Sequence, residues 1–177
     1  MRLKAPKDKQ IYTIGHSTRS IEDLIALLKA HAVKKVIDIR TVPKSRYCPQ
    51  FNTENLKKSL KLERIGYRHM RDLGGFRHPS KDSINTGWIN SAFRGFADYM
   101  QTAQFKKALE KLEKSAQKQQ CALMCAEAIP WRCHRSLIAD PLTLRKWKVL
   151  HIQSKKTAKV HKRTPFLKVK RGVLFYP

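Results

Sequence analysis

The sequence predicts an α/β protein: a mostly parallel sheet flanked by helices, with a helical and loop insertion at about residues 70–118. Three observations carry that reading. Short apolar runs alternate with stretches whose apolar residues recur at helical spacing, in the order βαβα, insertion, αβαβ. The run CALMCAE, 121–127, is uncharged up to its final glutamate, as suits a central strand buried on both faces. KKVIDIR follows the first helical stretch after a short basic entry, the connection expected of a parallel βαβ unit.

In chain order, QIYTIGHS reads as a strand that stops at Gly15, and SIEDLIALLKAH as a helix with Ile21, Leu24, Ile25 and Leu28 on one side. Ser20 is a good N-cap, and Asp23 approximates a capping box. KKVIDIR is the second strand, and Pro43 to Pro49 a charged loop carrying Lys44, Arg46 and Tyr47. TENLKKSLKLE is an amphipathic helix capped by Asn52 or Thr53, and GYRHM a short third strand. The segment LGGFRHPSKDSINTG is turn-rich. Two helices follow it, one burying Phe93, Phe96 and Met100, the other Phe105, Leu109 and Leu112. After the buried strand, RCHRSLIA reads as helix until Pro141 kinks or restarts it with Asp140 as the new cap. KVLHI is a further strand, and GVLFYP a candidate edge strand. The domain assignment is a single α/β domain over 1–153 and a basic C-terminal arm over 154–177.

Composition narrows the function. Thirty-eight Lys and Arg against thirteen Asp and Glu give a formal charge of +25, enough to attract any polyanion at low salt. Nucleic acid or a nucleotide is the expected partner, with a solvated lysine-rich surface as the alternative. The excess is uneven: after Asp140 there is no acid, and the arm carries Lys155, Lys156, Lys159, Lys162, Arg163, Lys168, Lys170 and Arg171. No apolar run reaches the length of a membrane span, and MRLKAPKDKQ lacks a signal-peptide core. A cytoplasmic protein is expected, whose four cysteines serve thiol chemistry, metal ligation or packing in place of disulfides.

In an open parallel sheet, ligands bind beyond the carboxyl ends of the strands. There the sequence places Gly15, His16 and Ser17; Asp38, Arg40 and, shortly after, Ser45; and Cys125 and Glu127 ahead of Cys133, His134 and Arg135. Arg40 and Arg135 can each grip an anionic oxygen pair, helped by Ser17, Ser45 and His134, while His16, Asp38, Glu127 and Cys125 are the catalytic candidates. Each has a plainer role open to it: His16 as a helix cap, Asp38 and Arg40 as a pair, Cys125 as packing. Cys125, between a strand end and a helix N-terminus with arginines nearby, is placed to lower a thiol pKa. The arrangement looks like the anion loop of cysteine phosphatases and rhodaneses, but six residues separate Cys125 from Arg132, one more than those loops have, and no glycine lies between. That departure argues against a standard phosphatase. No cofactor is required; the alternative is zinc or iron held by Cys125, Cys133, His134 and His16, against which stands the angle of about 100° between adjacent helical residues.

TIGHST (13–18), DIRTVPKS (38–45), GYRHMRDLGG (66–75) and LMCAEAIPWRCHR (123–135) together resemble the hallmark blocks of the domain-of-unknown-function family 488, over roughly residues 10–153. The resemblance implies Rossmann-like three-layer packing and a cleft lined by those blocks, and no established reaction. It carries onto Gly15, His16, Ser17, Asp38, Arg40, Pro43, Ser45, Tyr67, Leu73, Gly74, Gly75, Cys125, Glu127, Cys133, His134 and Arg135. Two functions are therefore expected to compete: an enzyme acting on a nucleotide or nucleic-acid phosphate through a Cys/His/Arg site, and a binding protein without chemistry in which the tail contacts phosphates and Tyr47, Trp88 or Trp131 stack on bases.

Overall fold

A computed structural model describes residues 9–177. Residues 1–8, which make up most of the segment read above for a leader and begin the 1–153 assignment, lie outside them. Eight strands and five helices are seen among the described residues: β1 (Gln10–Gly15), α1 (Ile21–Ala30), β2 (Lys35–Asp38), α2 (Thr53–Leu62), β3 (Gly66–His69), α3 (Ser91–Met100), α4 (Ala103–Lys118), β4 (Cys121–Cys125), α5 (Arg135–Leu144), β5 (Lys148–Ile152), β6 (Ala158–Val160), β7 (Lys168–Lys170) and β8 (Val173–Phe175). Six strands form one sheet in the order β3-β2-β4-β1-β5-β6, parallel except for β6. No helix among the described residues is long and apolar enough to cross a membrane.

Strand alternation sorts the core into two layers, giving the three-layer, Rossmann-like arrangement. On β4, Ala122 and Met124 join Leu24 and Leu28 of α1 and Leu56 and Leu60 of α2, whereas Cys121, Leu123 and Cys125 join Phe105, Leu109 and Leu112 of α4 and Leu137 of α5. The segment between β3 and β4 thus supplies part of the second layer. Local chemistry sets the helix starts: Ser20 Oγ accepts from the Asp23 N–H at 3.0 Å, Asn90 Oδ1 from Ala92 N–H at 2.9 Å, and Thr102 Oγ1 from Phe105 N–H at 3.2 Å.

Pro141 neither ends nor restarts a helix. α5 runs through it, and Asp140 is no cap: its carboxylate is fully buried. The residues around it, Leu137, Ile138 and Leu142, have no exposed surface, so tertiary packing outweighs the one backbone hydrogen bond that a proline forfeits.

Residues 154–177 are not a free arm. An edge strand does form there, from Ala158–Val160 antiparallel to β5, whereas Val173–Phe175 pairs with β7 in a separate hairpin. Tyr176 is fully buried; its N–H donates to Asn85 Oδ1 at 2.9 Å and its hydroxyl to Asp140 Oδ2 at 2.8 Å. Trp88, Phe93, Phe166 and Tyr176 pack edge-on or tilted around that anchor, with centroids of Trp88 and Phe166 5.0 Å apart. Trp88 is half-buried in that cluster and lines the groove that Trp131 borders.

A buried polar chain crosses the same region. The Thr13 hydroxyl meets His151 Nδ1 at 2.6 Å, His151 Nε2 meets His161 Nδ1 at 3.0 Å, and His161 Nε2 meets Asp140 Oδ1 at 2.9 Å. Asp140 can only accept, so His161 Nε2 donates to it; with His161 neutral, its Nδ1 accepts from His151 Nε2, and His151 Nδ1 accepts from the Thr13 hydroxyl. Burial, aided by His161 and Arg135, lowers His151 to about 3 from its usual 6.5. Below pH 6.5 the unfolded chain binds a proton at His151 that the native chain refuses, so acid favours unfolding. Stability should fall as pH drops from 6.5 towards 3, by up to about 1.4 kcal/mol per pH unit from this residue. His16, also lowered by burial, acts in the same direction. Urea unfolding of wild type and His151→Gln across that range checks this; an equal pH slope in both would exclude His151 as the source.

Candidate functional site

Register brings the strand ends to one rim. Gly15 pairs with Cys125 and Asp38 with Met124, so the chain leaves β1, β2 and β4 at one level. The ladder continues one step further: His16 N–H donates to Cys125 O at 2.9 Å, Ser17 N–H to Ala126 O at 2.8 Å, and Ile39 N–H to Met124 O at 3.0 Å. Gly15 permits this. A Cβ there would collide with the Glu127 carbonyl, falling 2.7 Å from its carbon. Gly15→Ala should therefore cost about 1–3 kcal/mol and push the 125–128 loop away from β1, seen as a lowered urea midpoint and faster amide exchange at residues 16–17.

His16 is buried and stacks on Phe51 at 4.2 Å between centroids. Its Nδ1 lies 2.8 Å from the Ser17 carbonyl and must donate; its Nε2 then accepts from Arg40 Nη1 at 3.2 Å. Burial, reinforced by the Arg40 charge, lowers its pKa against the opposing pull of the Ser17 carbonyl, so the ring is a neutral acceptor for Arg40. Both nitrogens are engaged. That removes His16 from the candidate metal ligands and makes it a residue that positions Arg40.

Arg40 is held on three sides. Nε and Nη2 fork onto Asp38 at 2.9 and 2.6 Å, and Nη2 also donates to Phe51 O at 2.7 Å. Asp38, fully buried, accepts in addition from the Tyr67 hydroxyl at 2.9 Å. Burial, reinforced by the Asp38 carboxylate, raises the Tyr67 hydroxyl above its usual 10. Asp38 does not line the cleft; it anchors Arg40 from behind, and its catalytic assignment is corrected accordingly. Arg135 is corrected as well. Its guanidinium, 1% exposed, donates to the carbonyls of Glu127 and of Ala128, the latter at 2.7 Å, and stays outside the cleft. It clamps the loop in place of an anion.

Cys125 sits at the end of β4, close to Cys133 and His134; one ligand atom from each lies within 4.8 Å of the others. The thiol hydrogen bond from Cys133 is the chief reason the Cys125 pKa is lowered, opposed by burial and helped by His134 and the Glu127 backbone. The same bond raises Cys133. A thiolate so placed can be a nucleophile or a metal ligand. His134 Nε2 lies 3.0 Å from Leu73 O and 3.2 Å from Ile39 O, so it donates, leaving Nδ1 as acceptor on the sulfur side, 3.7 Å from Cys133 Sγ.

These groups share a cleft of about 600 Å³. It brings together His16, Ser17, Arg40, Ser45, Cys125, Glu127, Cys133 and His134 as expected, and adds Lys44, Arg132 and Phe76 at its edge. Glu127, Lys44 and Arg132 are exposed; Ser45 is half-buried, its hydroxyl accepting from the Tyr47 and Cys48 N–H groups at 3.2 Å. Arg132 was missed as a site residue because the sequence does not say whether the 126–134 loop turns its arginine out or in; its position inside the cysteine-rich block was the available signal. None of the eight basic residues of the tail lines the cleft.

A family model described as a domain of unknown function, DUF488, matches residues 20–142, more than half of the chain. The chain belongs to the DUF488 family. The match contains the blocks at 38–45, 66–75 and 123–135, so three of the four rim segments fall within the DUF488 region, while β1 with His16, and everything from β5 onward, lie outside it. No curated protein and no solved structure matches the chain.

Proposed function

We propose that this DUF488 protein is an enzyme that takes a nucleotide or nucleic-acid phosphate into the strand-end cleft, with Cys125 as the attacking group. The observation that carries the reading is the juxtaposition of a cysteine sulfur with Arg40, Lys44 and Arg132 around a single cleft. Lys44 and Arg132 would meet the anion as it enters, and Arg40, held in place by Asp38 and His16, would face it inside. The thiolate would form a sulfur–phosphorus bond as the ester oxygen departs, taking a proton from solvent. Glu127 would then deprotonate the water that cleaves the intermediate. Turnover of nucleotides and short oligonucleotides by wild type and Cys125→Ser tests this. Turnover should fall by a factor on the order of 10³ or more with the circular dichroism spectrum unchanged; full activity in Cys125→Ser would overturn the assignment.

A second reading, a nucleic-acid-binding protein without chemistry, is favoured by one arrangement. All eight basic residues of the tail are exposed, and Trp131, 67% exposed, borders a groove with Lys159 and Lys162. Removing the tail would also remove Tyr176 from the core, so its charges are better neutralised in place. Replacing Lys155, Lys156, Lys159 and Lys162 by Gln should flatten the salt dependence of oligonucleotide affinity if this surface binds, and leave it unchanged otherwise.

A further inference from the structure

We infer that Cys125, Cys133 and His134 form a binding site for a divalent cation of the zinc class, with three protein ligands and a fourth position open to the cleft. The inference goes beyond the phosphate-cleft reading and stands on the geometry of the three side chains alone. In a zinc tetrahedron, bonds of about 2.3 Å to sulfur and about 2.0 Å to nitrogen put neighbouring ligand atoms about 3.5–3.8 Å apart. Cys133 Sγ and His134 Nδ1 are 3.7 Å apart, and Cys125 Sγ falls within the same 4.8 Å triangle.

Three further features prepare the set. Cys133 and His134 are adjacent, and on a helix they would diverge, but α5 begins only at Arg135. Cys133 has extended backbone (φ −131°, ψ 142°) and His134 is the N-cap, so both side chains turn to the same point. The Ile39 and Leu73 carbonyls fix the His134 tautomer with Nδ1 unprotonated, as the backbone carbonyl behind a metal-bound imidazole does. Gly75 leaves room for the ring: a Cβ there would fall 2.5 Å from Nδ1. Two thiolates and a neutral imidazole would cancel the ion's charge, and all three ligands line the cleft, so the remaining position is reachable by water or by an anionic group. With the ion bound, Cys125 is a ligand and is withdrawn as an attacking group.

The test is titration of reduced, metal-stripped full-length protein with Co²⁺, with Zn²⁺ displacing it. Wild type should bind one ion per chain with the visible bands of tetrahedral cobalt and the charge-transfer bands of thiolate ligation. Cys133→Ser and His134→Ala should each weaken binding about 100-fold or more, and Cys48→Ser should not. As a second measurement that needs no variant, stoichiometric Zn²⁺ should protect Cys125 from iodoacetamide in wild type, read by peptide mass mapping. Absence of thiolate bands in wild type, or bands untouched by both ligand variants together with unprotected Cys125, would overturn the site. Nucleotide binding by the metal-free protein is read separately. Metal without nucleotide affinity sinks only the phosphate reading, nucleotide affinity without metal sinks only this one, and where both bind, loss of turnover on loading with Zn²⁺ supports the site whereas unchanged Cys125-dependent turnover in the zinc-loaded protein overturns it.

Discussion

Asp38→Ala should destabilise the protein by about 3–5 kcal/mol and disable the cleft at the same time. The carboxylate is fully buried and takes the Nε and Nη2 protons of Arg40, the Arg40 backbone N–H at 3.1 Å, and the Tyr67 hydroxyl. Removing it leaves a guanidinium that is 7% exposed without its counter-charge, and a phenol without an acceptor. Losing one partner of a buried pair costs more than the pair itself contributes, because the remaining charge is still held away from water. Freed from its fork, Arg40 also loses the orientation in which Nη1 meets His16. Chemical denaturation gives the first effect; nucleotide affinity under conditions where the variant remains folded gives the second. Asp38→Asn retains an acceptor for one donor and should fall between.

The second large effect is expected far from the cleft. Asp140→Ala should cost about 3–5 kcal/mol, because His161 Nε2, the Thr164 N–H and hydroxyl, and the Tyr176 hydroxyl all end on that one carboxylate. Every one of those donors comes from the C-terminal segment, so the loss is directional. Amide exchange should accelerate over residues 158–176 before it does in β1, β2 and β4. Uniform acceleration would mean that the tail is not a separable unit.

Asp38 and Asp140 also mark what the sequence makes legible. The βαβ pattern, the N-cap at Ser20, the buried run of β4 and the convergence of 16, 40 and 125 on one rim all follow from local periodicity and from the rule that parallel strands end on a common side. Which way a guanidinium turns does not. Arg40 and Arg135 look alike from sequence, yet one faces the cleft and the other is spent on the Glu127 and Ala128 carbonyls, a difference set by a loop path with no periodic signature. Pro141 and the basic tail show how distant contacts enter. Local composition suggests a kinked or restarted helix and a basic arm; the helix runs on through Pro141, and the arm is tied down by Tyr176 on Asp140. The objection to a Cys133–His134 ligand pair holds only for residues inside a helix, and α5 starts at Arg135, three residues later than RCHRSLIA suggests.

The account rests on an anion entering the strand-end cleft. Amide chemical shifts of the metal-free protein, followed while inorganic phosphate and then a short single-stranded oligonucleotide are added, test it most directly. The expected result is saturable shifts grouped at residues 15–17, 40–45 and 125–135, diminished in Arg132→Ala. Shifts confined to residues 155–171, or none at the strand ends, would contradict it.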